Sequence, residues 1–309
     1  MQKMLISIVI ILAFVTCIHS QNFQRAADLN DRGLDRTKKG DLDAAIADFT
    51  QAIEISSRLG KRKDSRRDSF APYEDAELRD RIRVIDPNTA AYHVNRGNAL
   101  FRKNEVDKAI DDYDRAIAIS PGLANAYQCR GTAWVQKQEA DRAIADFDKA
   151  LKLDPKLFEA YTGRAMAHMF KGEEQAAFDD FDRSLKIQPR SGETYYFRGS
   201  ARRISGDLAG AVADFEYAMG VNPKLTYPYL GRGNTRLGTG DAAGALEDFA
   251  KAVELDPGLA LGYAGRGYAL LMQGKSAEAE KDFSRARTLA PFMKAEIAAT
   301  IEKIDRVKE

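Results

Sequence analysis

The chain has 309 residues, more than one ordinary globular core holds, so it divides either into two compact domains or into a repetitive array. Apolar residues at 44% exclude disorder throughout, and 30% charged residues make it somewhat charge-rich for a folded chain. With 47 Lys and Arg against 46 Asp and Glu, no global field gathers nucleic acid or an anionic membrane; either would need a local patch.

Residues 1–20, "MQKMLISIVIILAFVTCIHS", begin with a basic residue, Lys3, and run apolar from Met4 to Val15 except for Ser7. They end on a small residue, Ser20, before polar "QNFQ". This is the layout of a signal peptide, so the expectation is export to a periplasm or the cell exterior. Two alternatives are an uncleaved anchor and a lipid on Cys17. The apolar run falls short of the roughly 20 residues that span a bilayer, and Thr16 stands before Cys17 where a smaller residue suits lipidation. Membrane contact is therefore expected only if this segment is retained or lipidated. Cleavage after Ser20 leaves Cys129 alone, which rules out an intrachain disulfide and suits a small apolar filler. His93 and His168 have no second His or Cys at ligand spacing, so no metal or other cofactor is expected.

Residues 21–59 read as a lead-in and a first repeat that begins at residue 26. Residues 60–89 read as an insertion, starting with five basic residues against one acid between Lys61 and Arg67. Its first half is expected to be a solvated loop or helix extension, with a basic contact for an acidic partner as the alternative. "RRDS" around Ser69 resembles a kinase site, though an exported chain would not meet a cytosolic kinase. From there the period is regular. Prolines at 87, 121, 155, 189, 223, 257 and 291 stand 34 residues apart, marking six contiguous units over 90–293. Residues 294–309 carry Ile297, Ile301 and Ile304 on one stripe and read as a helix capping the open end of the array.

Within each unit the eighth residue is Gly except at Ala165, the twentieth is always Ala, and the twenty-fourth is always aromatic, from Phe49 to Phe283. Small residues facing an aromatic peg predict two closely packed helices, and truncating a peg to Ala should cost roughly 3–5 kcal/mol. Between the helices stand Gly40, Asn104, Gly172, Gly206, Gly240 and Gly274, suited to a left-handed helix end. Gln138 departs from that rule. Each unit thus reads helix, turn, helix, break. Position 7 is Arg and position 23 is Asp in all seven units, predicting an ion pair inside each. The alternative, a ladder of arginines reading an acidic ligand, fits less well because each Arg comes with its own acid.

These residues, with Tyr at position 4 in the last five units and Ala at position 27 in six, resemble the tetratricopeptide repeat family. The resemblance implies an all-α fold: a right-handed α-solenoid of helix-turn-helix repeats with a C-terminal capping helix. It also implies a protein or peptide partner on the concave face, held through positions 2, 5, 9, 12 and 13 of the first helices. Carried over residue by residue, that face includes Met166, Phe170, Tyr196, Arg203, Tyr227, Leu230, Asn234, Leu261 and Tyr268. Position 12, here Met169, Leu237 and Leu271, is alternatively core. The family's chaperone-binding variant clamps a C-terminal carboxylate with Lys and Asn. That pattern is missing, since position 6 holds Asp31, Asn95, Cys129, Gly163, Phe197, Gly231 and Gly265.

No phosphate loop, metal cluster or nucleophile set is present, so a non-enzymatic adaptor is expected. The alternative is a structural subunit of an envelope assembly that makes its contacts through the convex face or the ends.

Overall fold

The computed structural model describes residues 2–61, 86 and 88–308, with side chains described over 20–57, 86 and 88–304. The insertion expected between residues 60 and 89 therefore lies almost wholly outside the described residues, as do the side chains of segment 1–20 before Ser20. Everything described is helix and turn. The order is α1 (Gln2–Lys39), α2 (Leu42–Lys61), α3 (Thr89–Arg102), α4 (Val106–Ile119), α5 (Ala124–Gln136), α6 (Ala140–Leu153), α7 (Phe158–Lys171) and α8 (Glu174–Ile187). There follow α9 (Gly192–Ile204), α10 (Leu208–Val221), α11 (Thr226–Gly238), α12 (Ala242–Leu255), α13 (Ala260–Met272), α14 (Ser276–Leu289), a 3-10 turn (Pro291–Met293) and α15 (Lys294–Lys308). Among the described residues, no helix is long and apolar enough to cross a membrane.

The chain forms two compact units, Met1–Gly163 and Arg164–Glu309. In the first, α1 packs on α2, α3 on α4 and α5 on α6; in the second, α9 packs on α10, α11 on α12 and α13 on α14. Each hairpin turns on one residue in the left-handed region. Gly fills it five times, Asn104 once at φ 63°, and Gln138 once at φ 61°. Gln138 is thus no exception to the geometry, only to the residue type, and it carries a Cβ where glycine has none. Some second helices are also capped at their start, with Asp207 and Asp241 each accepting from a backbone N–H three residues on, at 2.9 Å.

The aromatic pegs are the centre of each hairpin, none more than 2% exposed. Gly199 and Gly231 show why the neighbouring positions must be small: a Cβ would lie 2.9 Å from the Phe215 ring at the first and 2.6 Å at the second. Gly199 belongs to the same repeat as Phe215, but Gly231 is position 6 of the next. The ring is therefore clamped between repeats, and position 6, considered above only as a missing ligand clamp, is a packing site. Gly265 approaches Phe249 in the same way. Stacking of this kind packs successive hairpins on one another inside each unit.

All seven position 7 arginines grip the position 23 aspartate of their own hairpin. Nε donates to one carboxylate oxygen at 2.7–3.0 Å. Nη2 donates to the other at 2.6–2.8 Å. The aspartates are buried, so each needs its cation. The third nitrogen has a further use. Nη1 of Arg130, Arg198 and Arg232 reaches Asp114, Asp182 and Glu216 of the preceding repeat, and that of Arg96 reaches Thr50. For Arg266 the equivalent residue of the preceding repeat is Ala250, which offers no acid. A second arginine joins the same aspartate closely in some hairpins, Arg36 on Asp48, Arg202 on Asp214 and Arg236 on Asp248, at 2.8–3.0 Å, and more distantly in others, Arg183 on Asp180 at 3.5 Å and Arg115 on Asp112 at 4.0 Å. At Asp112 burial pushes the carboxyl up, but hydrogen bonds from Arg96 and His93 outweigh it and hold the group below the ordinary aspartate value.

At the end of the second unit, Ile297 is fully buried, and Ile301 and Ile304 pack on the cluster built from Phe283, Leu270 and Met293. The isoleucine stripe thus covers the apolar end of the last hairpin.

Candidate functional site

Positions 2 and 13 of a helix are eleven residues apart, close to three full turns, so they lie on one side, with positions 5, 9 and 12 between them. In the second unit that side is unusually apolar. Phe170 (58% exposed) and Ile204 (69%) stand at position 13, and Tyr227 (55%) and Leu261 (53%) at position 2. Scattered exposed apolar residues are ordinary, whereas large ones recurring at equivalent positions of successive helices form a patch that needs explaining.

Tyr196 anchors the middle of this side. Its ring lies 5.9 Å from Tyr227, 5.1 Å from Phe197 and 6.1 Å from the Phe215 peg. Tyr196 is consequently half core and half surface. Burial raises its pKa, partly offset by its Ser200 hydrogen bond and by the nearby Arg203. Arg203 is exposed and Asn234 is exposed, while Met166 is half-buried.

One of the expected residues lies elsewhere. Leu230 is only 6% exposed and packs with Ala245, Phe249 and Ala252 in the core. It is a core residue and offers no surface to a partner, which corrects the sequence expectation. Tyr268 keeps its place on this side, half-buried against Phe283 at 5.2 Å and close to Thr300 of α15. Of the position 12 residues, Leu271 is buried. Ile204, the most exposed apolar side chain of the face, was missed by the sequence reading. The signal that could have found it is its sharing position 13 with Phe170.

No position 7 arginine is available for an acidic ligand, since each is committed to an aspartate. Cys129 is a free thiol whose pKa burial pushes up to about 12, so it is protonated at neutral pH and a poor nucleophile. Among the described residues, no group of three or more His, Cys, Asp and Glu side chains could hold a metal ion.

Family models described as tetratricopeptide repeat match residues 36–58, 90–123, 130–192 and 230–294. No curated protein matches the chain. Among solved structures, a tetratricopeptide repeat protein from Parabacteroides merdae ATCC 43184 is similar at TM-score 0.61 and 20% identity, covering 91% of this chain and 99% of its own. The type IV pilus biogenesis factor PilW is similar at TM-score 0.59 and 16% identity, covering 69% of this chain and 98% of its own. The APC/C hetero-tetramer Cut9-Hcn1 is similar at TM-score 0.64 and 14% identity, covering 94% of this chain and 55% of the other. At these identities the likeness is one of fold.

Proposed function

Because the chain belongs to the tetratricopeptide repeat family, whose members generally mediate protein–protein interactions, we propose that it is a non-enzymatic adaptor holding a protein or peptide partner. The surface proposed for that partner is the shared side of the first helices in the second unit, the family's concave face. The observation that supports this reading is the recurrence of Phe170, Ile204, Tyr227 and Leu261 as exposed apolar side chains at equivalent positions. Met166, Tyr196, Arg203 and Asn234 complete the proposed surface, with the tyrosines as rigid anchors. The layout of residues 1–20 supports export, and the mature chain is then expected to start at Gln21.

The test is affinity capture from an envelope extract using the parent chain and a Phe170→Ser/Ile204→Ser/Tyr227→Ser variant. These three side chains are exposed, so helical content should be unchanged, whereas Tyr196→Ala would also disturb the core. A partner held by the parent and lost by the folded variant supports the reading, and equal capture by both rejects the face. In the second reading the chain is a structural subunit that makes contact through its outer face or ends. Phe292, 85% exposed beside Pro291, favours it, and capture lost only on Phe292→Ser would establish it.

A further inference from the structure

In the stripe of positions that exposes Phe170 and Ile204, one member has no side chain. Position 13 of α11 is Gly238, and the space this leaves is a cleft of about 470 Å³. Leu237 and Gly238 of α11, Tyr268 and Met272 of α13, and Thr300, Lys303 and Ile304 of α15 line it. Its walls are mainly apolar, its size falls in the roughly 300–1,000 Å³ range of ligand clefts, and it runs on from the face proposed above. One full charge stands at it, the exposed Lys303 ammonium, with no carboxylate among the lining residues. Lys303 pairs with no described residue. Glu296, whose charge acts on Tyr268, stands two turns before Lys303 on α15 and is outside the lining. The polar groups that converge here are thus the Tyr268 and Thr300 hydroxyls and the Lys303 ammonium.

We propose that this cleft receives one large apolar side chain of a peptide partner, with the acidic residue next to it paired to Lys303. The proposal rests on the peptide-binding reading above and adds a recognition rule to it: apolar anchor, then carboxylate. The apolar side chain leaves water for the walls formed by Leu237, Met272 and Ile304, which supplies affinity. The ion pair at the mouth contributes less energy but selects the sequence and its direction.

Gly238 also provides the means of closing the cleft. A Cβ built there meets nothing within 4 Å, and its φ lies outside the left-handed region, so Gly238→Leu fills the space without strain. The full chain is titrated by fluorescence anisotropy with a short labelled Gly/Ser peptide carrying Leu-Asp, and with Leu-Asn, Ala-Asp and Leu-Lys versions. Unlabelled dodecanoate serves as a competitor, and helical content is checked for each variant. The expected result is saturable binding of Leu-Asp that falls more than about tenfold with Ala-Asp or in Gly238→Leu. Lys303→Glu should weaken Leu-Asp and transfer the preference to Leu-Lys. Unchanged binding by Gly238→Leu and Lys303→Glu would overturn the cleft. If binding were then lost in the Phe170/Ile204/Tyr227 variant, the broader reading would survive without it. Dodecanoate binding with no peptide binding would make the cleft an acyl site, and no binding of either probe would equally overturn the proposal.

Discussion

Arg130 and Arg198 provide a controlled comparison of what a buried aspartate requires. Each donates twice to the aspartate of its own hairpin and once to an exposed acid of the preceding repeat. They differ in what stands four residues on: Trp134 in one hairpin and Arg202 in the other, where Arg202 Nη1 lies 3.0 Å from Asp214. Replacing Arg130 by Leu leaves Asp146 buried without a cation, at a cost of about 3–5 kcal/mol. Replacing Arg198 by Leu leaves Asp214 with Arg202, and the loss is about 1.5–3 kcal/mol, the worth of hydrogen bonds to a charged group. Loss of the exposed contacts to Asp114 and Asp182 contributes at most about 1 kcal/mol and similarly to both. Arg130→Leu/Asp146→Leu removes charge and counter-charge together and should return to within about 1 kcal/mol of the parent. Urea unfolding followed by circular dichroism, fitted to a nearest-neighbour array, reads these differences. Equal losses for the two single variants, or a double variant no more stable than Arg130→Leu, would refute the reasoning.

Three further outcomes follow from particular residues. Gln138→Gly should stabilise the chain by about 0.5–1 kcal/mol, because Gln138 holds φ 61° and the relief of its Cβ exceeds glycine's entropy cost; a lower melting temperature would contradict this. Ala250→Glu should supply the acid that Arg266 lacks, adding about 0.2–1 kcal/mol that vanishes in high salt, as read by thermal melts at two ionic strengths. The depressed pKa of Asp112 gives a pH effect of defined sign. Its contribution is present above the unfolded value of about 3.9 and is lost as pH falls through the lower folded value, so the stability gap between parent and Asp112→Asn should close on the acid side. A gap that closes instead toward alkaline pH would contradict the assignment.

Much of the architecture is written in local sequence, because a helix, its end and its buried side depend on residues within a turn or two of one another. The 34-residue spacing of the prolines, the alanines at position 20 and the aromatics at position 24 mark the hairpins in the sequence itself. The Arg and Asp sixteen residues apart were legible as pairs for the same reason: one turn folds the second helix back on the first, so partners in a hairpin are near in sequence.

Tertiary structure decided what depends on the neighbouring repeat. Position 6 carries no packing signal within its own repeat, and its role follows from Gly231 lying against the Phe215 ring of the preceding hairpin. Leu230 and Tyr227 share one face by sequence, yet one is core and the other surface, because exposure depends on side-chain length and on what the adjacent helices cover. The third nitrogen of Arg198 finds Asp182 only because stacking brings two hairpins together. The cleft at Gly238 likewise arises from three helices meeting around a missing side chain. Sequence alone determined the repeat and its internal pairs, whose contacts are short-range along the chain; the packing of one hairpin on the next determined which surfaces remain for a partner.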